Sequence, residues 1–469
     1  MQSSSATRPT RNASPDSQPT TAADKSLAAQ TATHSAPLLA KWRNQAIIHG
    51  HLIFWSIFGV LARLGMIGLT EYPNAPVSFG VLWANVAGSF VMGFLLEERV
   101  LFVETVQTEI LGTEEAPVHM AFLTREEVRQ EDEAVRREMT EPESGPEPKP
   151  KSLPRPGPAN TSESRSPESN AHTAHNGEGV DIEDTNLDLM QSLSESEGRA
   201  GAPLRGDPVN LVQLADYVKA KKTLPLYIGL ATGFCGSFTS FSTFVLDAFL
   251  AAVNELPADS QDRARGDSFM AFAAVAVLNP AMSLAGFYCG MHAARGLSHL
   301  RIGIHGIPGR VLPGLDIVFA LLGYGCWIGA AFMTAWPPHD HWRGKPLFSL
   351  IIGPLGTILR FHLAAFNAGR RYPLGTLAAN MLGTALLGAF FDVMHVPIHS
   401  VVGCQILEGF SDGFCGCLTT VSTWVAELST LGTRRAYIYG MASFAGGFMI
   451  LIPVMGGLHW TEGFGTPVC

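Results

Sequence analysis

A glycine- and hydroxyl-rich segment, set inside a long apolar stretch, occurs twice. Residues 233–244 read GFCGSFTSFSTF and residues 413–424 read GFCGCLTTVSTW. An interrupted helix cannot face lipid, because the backbone groups it frees find no water at that depth. Broken, polar helix within a membrane lines a cavity or an ion path instead. Two copies therefore predict two similar halves built around such a path.

The flanking sequence repeats in the same order. G-x-x-x-R runs from Gly59 to Arg63 and from Gly356 to Arg360. N-x-x-G-[ST] begins at Asn85 and at Asn380. Asn279 and Ser283 correspond to Tyr439 and Ser443. The copies stand 297 residues apart at the arginine, 295 at the asparagine, 180 at GFCG and 160 at the serine. The largest drop falls between the asparagine and GFCG, so the first half carries a large insertion, placed at 97–223. Such duplication of whole units constrains the fold more than any single segment does.

A membrane crossing needs about 20 apolar residues. Nine segments qualify, at roughly 47–69, 77–96, 224–253, 269–292, 314–335, 347–366, 374–392, 400–431 and 436–458. The expected fold is an all-α integral membrane protein with about nine spans. Two four-helix repeats, each with a broken third helix, are joined by a linker transmembrane helix. The expected domains are 45–293 and 347–460, with the linker 294–346 and its helix 314–335 between them. A disordered cytoplasmic N-terminus, 1–44, and a tail, 461–469, flank them. Because the linker crosses once, the second repeat starts on the opposite side and is inverted. Lysine and arginine gather on the flanks that a cytoplasmic N-terminus places inside, among them Lys41, Arg43, Lys221, Lys222, Arg370, Arg371, Arg434 and Arg435. That bias predicts N-inside, C-outside, with the insertion in the cytoplasm.

The net charge of −9 arises largely in the Ser-, Glu- and Pro-rich stretches 1–40 and 97–223. These cannot bury enough apolar surface to offset ordering and are expected to be disordered. They point to no nucleic-acid partner. Arg125–Met139 reads either as a short charged helix or as a solvated run. The seven cysteines form no C-x-x-C set with histidine spacing, so no zinc site is expected and they read as small apolar residues. No short apolar stretch near the start marks a cleaved signal peptide. Neither a G-x-x-x-x-G-K-[ST] loop nor a nucleophile–base set is present, which argues against a pump and an enzyme.

The polar residues within spans are the candidates for function. Asn85 and Asn380 each offer an amide with two donors, suited to an anion that has shed its water; an interhelical bond is the competing reading, and recurrence at matched positions favours the first. Ser242, Thr243, Ser422 and Thr423 supply hydroxyls, and Phe241 and Phe244 supply ring edges of positive partial charge. Ser283 and Ser443 share a helix face with Asn279 and Tyr439 and form either a donor track or a packing seam. Arg63 and Arg360 either snorkel or line a cationic vestibule. Asp247, Asp316, Asp392, Glu408, Asp412 and Glu427 are the carboxylates that a coupled exporter of another small solute would need.

In this order, GFCG-x-x-T-[ST]-x-S-T, N-x-x-G-[ST] and G-x-x-x-R resemble the CrcB/Fluc fluoride channels. Two such domains fused through one helix look like the eukaryotic fluoride export proteins (FEX). The resemblance covers about 45–96, 224–293 and 347–458. It implies a passive fluoride channel in which a single chain forms a pseudo-dimer with two pores. It also implies a plasma-membrane location in the lipid bilayer. Carried over by position, the pore asparagines are Asn85 and Asn380, the pore phenylalanines Phe241 and Phe244, and the serine track Ser283 and Ser443, with Tyr439 a pore tyrosine. A structural sodium ion would rest on the backbone carbonyls of Gly236, Thr239, Gly416 and Thr419. Val421 and Trp424 stand where the second half should carry phenylalanine, so unequal pores are expected.

Overall fold

A computed structural model describes residues 22–70, 72, 79–99, 101–102, 105–106, 217–256, 265–299, 307–337, 343–397 and 400–469. All belong to one unit, 1–106 with 192–469. Arg125–Met139 and most of the 97–223 stretch lie outside them.

Among the described residues, every regular element is helical. The first half contains α1 (Ala22–Thr70), α2 (Val81–Glu97) and a broken third crossing. That crossing consists of α3 (Pro225–Ile228), a π-helical segment Gly229–Cys235, α4 (Gly236–Phe238) and α5 (Phe241–Val253); α6 (Arg265–His299) follows. The linker helix is α7 (Leu312–Ala335). The second half repeats the series as α8 (Ser349–Leu363), α9 (Leu374–Met394), then α10 (Val401–Glu408), a π segment Gly409–Cys415, α11 (Gly416–Leu418) and α12 (Ser422–Thr430), and finally α13 (Thr433–Thr461). Seven of the described helices are long and apolar enough to cross a membrane. α2 is a shorter apolar helix, and the third and eighth crossings, 225–253 and 401–430, carry matching breaks, of which only the third is among the seven. Large apolar side chains such as Phe269, Leu321, Phe332, Met441 and Met449 are exposed on the outside, as lipid contact requires.

The matching helices α1 and α8 run antiparallel. His49 of α1 faces His362 of α8, while a Cβ added at Gly353 of α8 would stand 3.2 Å from Val60 of α1. Along one helix the residue numbers rise as they fall along the other, which is the arrangement an inverted pair must have. The glycine of each G-x-x-x-R motif lets its helix touch the π segment of its own half. A Cβ at Gly59 would meet the Phe234 carbonyl oxygen at 2.6 Å, and one at Gly356 would overlap the Phe414 carbonyl.

Two boundaries differ from expectation. α1 begins at Ala22, well ahead of residue 45, because 22–40 is rich in alanine, the strongest helix former. The edges of the insertion are also built into the fold. Phe102 and Val106 are buried, Phe102 meets Tyr227 edge-on at 6.0 Å, and the Thr105 hydroxyl donates to the Ile307 carbonyl at 3.1 Å. At the other edge Lys221 is fully buried. Its ammonium donates to the Leu95, Leu96 and Glu98 carbonyls at 3.0, 3.2 and 2.6 Å, between the rings of Tyr217 and Tyr227. These carbonyls end α2 and have no helical partners of their own, so three N–H groups cap three open acceptors.

A cysteine pair is a further correction. Cys404, at the start of α10, and Cys469 form a disulfide with Cα atoms 5.8 Å apart. The sequence places Cys404 beside an apolar segment and Cys469 at the chain's end, and a separation of 65 residues carries no local spacing that would reveal the bond. Phe464 reaches the ring of Phe391 edge-on at 5.1 Å, and the Gly465 amide donates to the His395 carbonyl. The tail is thereby fastened across the ends of α9 and α10.

Candidate ion-conduction site

Each broken crossing fails at a threonine. Thr239 (φ −97°, ψ 150°) and Thr419 (φ −91°, ψ 158°) are extended, so the helix stops and then restarts. The asparagine of the neighbouring helix receives the first freed amide. Ser240 N–H donates to Asn85 Oδ1 at 2.8 Å, and Thr420 N–H donates to Asn380 Oδ1 at 2.9 Å. Three residues on, the glycine of N-x-x-G makes room for the threonine side chain: a Cβ at Gly88 would meet Thr239 and one at Gly383 would meet Thr419. Asparagine and glycine at i and i+3 thus act on one helix face, the first binding the break and the second admitting it.

The two breaks touch one another. Thr239 Oγ1 lies 3.1 Å from both Thr420 Oγ1 and Ser422 Oγ, and Thr419 Oγ1 lies 3.0 Å from Ser242 Oγ. Ser422 Oγ also donates to the Cys235 carbonyl at 3.1 Å, and Ser242 Oγ reaches the Cys415 carbonyl at 3.5 Å. Ser242 and Ser422, expected to face an ion, instead tie the halves together. Thr243 and Thr423 sit at the restarted helices, where their amides bond Ser240 Oγ and Thr420 Oγ1 at 3.3 and 3.4 Å. The amides that would have closed the helix onto the carbonyls of Gly236, Thr239, Gly416 and Thr419 are those of Ser240, Thr243, Thr420 and Thr423. All four are committed elsewhere, which leaves those oxygens available to a hard cation.

Arg63 and Arg360 neither snorkel nor line an open vestibule. Both are buried, at 1% and 4% exposure. Each crosses to the opposite half: Arg63 donates to the Asp412 carbonyl, and Arg360 donates to the Thr232 carbonyl at 2.7 Å. Each guanidinium also lies against a glycine of the opposite break, Arg63 on Gly416 and Arg360 on Gly236. The interrupted helices supply one carbonyl to each guanidinium, while Arg63 Nη1 and Arg360 Nε and Nη1 are buried without a partner among the described residues.

On either side of this crossing, a restarted helix packs into the other half. α5 packs on α9 and α13, and α12 packs on α2 and α6. The asparagines then diverge. Asn85 Nδ2 donates to the Ser240 carbonyl at 3.3 Å and to Asn279 Oδ1 at 3.0 Å, so both its N–H groups are used. Asn380 Nδ2 donates to the Thr420 carbonyl at 3.3 Å and keeps its second N–H. The counterpart of Asn279 is Tyr439, whose hydroxyl turns away to Glu427 at 2.8 Å. Glu427 is held as well by Thr376 and Asn367. Phe241 meets Trp424 edge-on at 5.4 Å and Phe244 at 5.7 Å, and Phe244 stacks on Phe444 at 5.3 Å. The Ser443 hydroxyl donates back to the Tyr439 carbonyl, whereas Ser283 Oγ and Asn279 Nδ2 are buried without a partner. Asn279, Glu427 and Lys221 all stand out in the sequence, but the partners they meet, Asn85, Tyr439 and the end of α2, come only from contacts between helices.

Residues 347–457 match the family described as CrcB-like protein, Camphor Resistance (CrcB). Fluoride export protein 1 of Neurospora crassa is 38% identical over 439 residues, covering 89% of this chain and 68% of its own. The chain belongs to the fluoride export protein family. Fluoride export protein 1 of Candida albicans is 32% identical over 267 residues, covering 54% of this chain and 67% of its own. Fluoride-specific ion channel FluC 2 of Staphylococcus haemolyticus is 35% identical over 108 residues, which is 22% of this chain and 87% of its own. No solved structure gives a significant match. Family membership places the chain among multi-pass membrane exporters and channels rather than enzymes.

Proposed function

We propose that this chain is a fluoride-selective passive channel that exports fluoride and so protects the cell from its toxicity. The observation that carries the site assignment is the divided asparagine. Its oxygen is bound by the break, which fixes and polarises the amide, and on the Asn380 side one N–H is left uncovered. Fluoride is small and strongly hydrated, so entry requires close donors in place of water. The Asn380 amide and the edges of Phe241 and Trp424 form such a set, with no strong trap among them. On the Asn85 side Asn279 closes over the amide and Val421 offers no ring edge. The Asn380 side is therefore the conducting one.

The carbonyls of Gly236, Thr239, Gly416 and Thr419, whose usual helical amides are diverted, would hold a sodium ion. It would supply fixed positive charge at the crossing, beside the two guanidinium groups. The antiparallel pairing of α1 with α8 supports assembly of the single chain as a pseudo-dimer. An extracellular C-terminus at the plasma membrane is supported by the Cys404–Cys469 disulfide, which belongs in an oxidising compartment.

Glu427, a buried carboxylate, favours a second reading as a coupled exporter. Efflux from proteoliposomes separates the two. Fluoride release that requires valinomycin and potassium, with no release of chloride, marks a passive electrogenic channel. Release that follows an imposed proton or sodium gradient instead marks coupling and overturns the channel reading.

A further inference from the structure

We infer that His49 and His362 form a binding site for a divalent transition metal, with zinc the best match, which clips the two halves together. Nε2 of His49 on α1 and Nε2 of His362 on α8 stand 3.3 Å apart. Tetrahedral zinc with Zn–N bonds of about 2.0–2.1 Å holds two imidazole nitrogens about 3.3–3.4 Å apart. Without metal, one imidazole N–H donates to the other ring across the same gap, and a bound ion would take that proton's place. The rings lie at 81° to one another, with centroids 5.3 Å apart, so the two nitrogens converge without the rings stacking. His49 is half-buried and His362 exposed, which leaves room for water at the remaining positions. Among the described residues no group of three or more His, Cys, Asp or Glu side chains gathers round an ion, so protein supplies two ligands and solvent the rest.

The pair is not a requirement of the fold. The offset of 297 between Arg63 and Arg360 relates His49 to Pro346 and His362 to Gly65, neither of which ligates metal. The symmetry-related place at the other face therefore has no such pair. One imidazole comes from each half, on the two helices whose arginines also cross. An ion bound there adds a link between the halves, and borderline-soft zinc suits imidazole where magnesium and calcium do not.

The test is calorimetric titration of the full-length, metal-free chain with Zn²⁺ at neutral pH, alongside thermal melts with and without Zn²⁺. The wild type should bind one ion and melt higher with it. His49→Gln and His362→Gln should each bind at least about 10-fold more weakly, since disturbing even an outer-shell partner costs about that much. Both variants should lose the zinc-dependent shift, and fluoride efflux in the absence of metal should show that they remain folded. Magnesium should give no shift. Equal zinc binding by the wild type and both variants, or no binding to the wild type, overturns the proposal.

Discussion

An amide that has committed its oxygen to the backbone and kept one N–H is a directed donor, and that is the state of Asn380 but not of Asn85. Asn380→Asp keeps an acceptor for the Thr420 amide and replaces both donors, including the one on the Thr420 carbonyl, with a carboxylate, so flux is read per folded channel. Fluoride flux should fall about 10- to 100-fold, the equivalent of one hydrogen bond to a charged group. Asn85→Asp loses two structural donations, to the Ser240 carbonyl and to Asn279, so it should melt lower while flux per folded channel stays close to wild type in the same proteoliposome assay. Equal loss in both would show two working paths. The recurrence of asparagine was legible in the sequence, but its division of labour was not, because Asn279 lies 194 residues from Asn85 and meets it only through packing. Lys221 makes a second prediction at this scale. Burial pushes its ammonium down to about 8, while Glu98 and Glu97 pull it the other way and Arg99 and Lys222 add to the lowering. Below about 8 the group is charged in both the folded and the unfolded chain; between about 8 and the unfolded value the folded chain holds fewer protons, so stability rises with pH across that window. Thermal melts of the wild type should show that rise. Lys221→Met should abolish it and melt lower at neutral pH, since three carbonyls at the end of α2 lose their donors.

At the scale of elements, sequence and structure agree where a local rule decides and part where a distant contact does. The breaks at Thr239 and Thr419 were visible because glycine and hydroxyl residues interrupt apolar runs. The π winding before each break was not, as nothing in GLATGFC or GFSDGFC separates it from α-helix. The G-x-x-x-R motif was visible, yet its arginine was read as facing water when it reaches the opposite half. Its glycine admits no side chain: Gly356→Val should push α8 off the Phe414 carbonyl and cost several kcal/mol by overpacking, about 1–3 or more, seen as a lower melting temperature. The disulfide predicts both stability and side. Closing 65 residues, it should stabilise by about 2–4 kcal/mol, so Cys404→Ser should melt lower than the wild type. In intact cells, a membrane-impermeant reductant followed by an impermeant maleimide should label Cys404 and Cys469. Labelling only after permeabilisation would reverse the orientation.

For the whole molecule, the decisive question is which part of the long first half the channel needs. The sequence places the insertion at 97–223, where composition turns polar and charged. The structure draws the line more narrowly. Phe102, Thr105 and Val106 pack against Tyr227, Ile307 and the core, and Lys221 closes the end of α2. Composition missed these edges because a few buried side chains are outvoted by their polar neighbours. Every described contact of the crossing, the asparagine sites and the aromatic set is made by residues outside 107–191. Two deletions therefore have opposite outcomes. Removing 107–191 leaves every described anchoring contact in place, so fluoride efflux and resistance should stay near wild type. Removing 97–223 strips the cap from α2, leaves its terminal carbonyls buried without donors and exposes Tyr227, so the chain should fail to accumulate or should melt far lower. Loss of function from the shorter deletion in a protein that still folds would assign the work to residues 107–191, and the paired broken helices would then be a scaffold for that unit rather than the path itself.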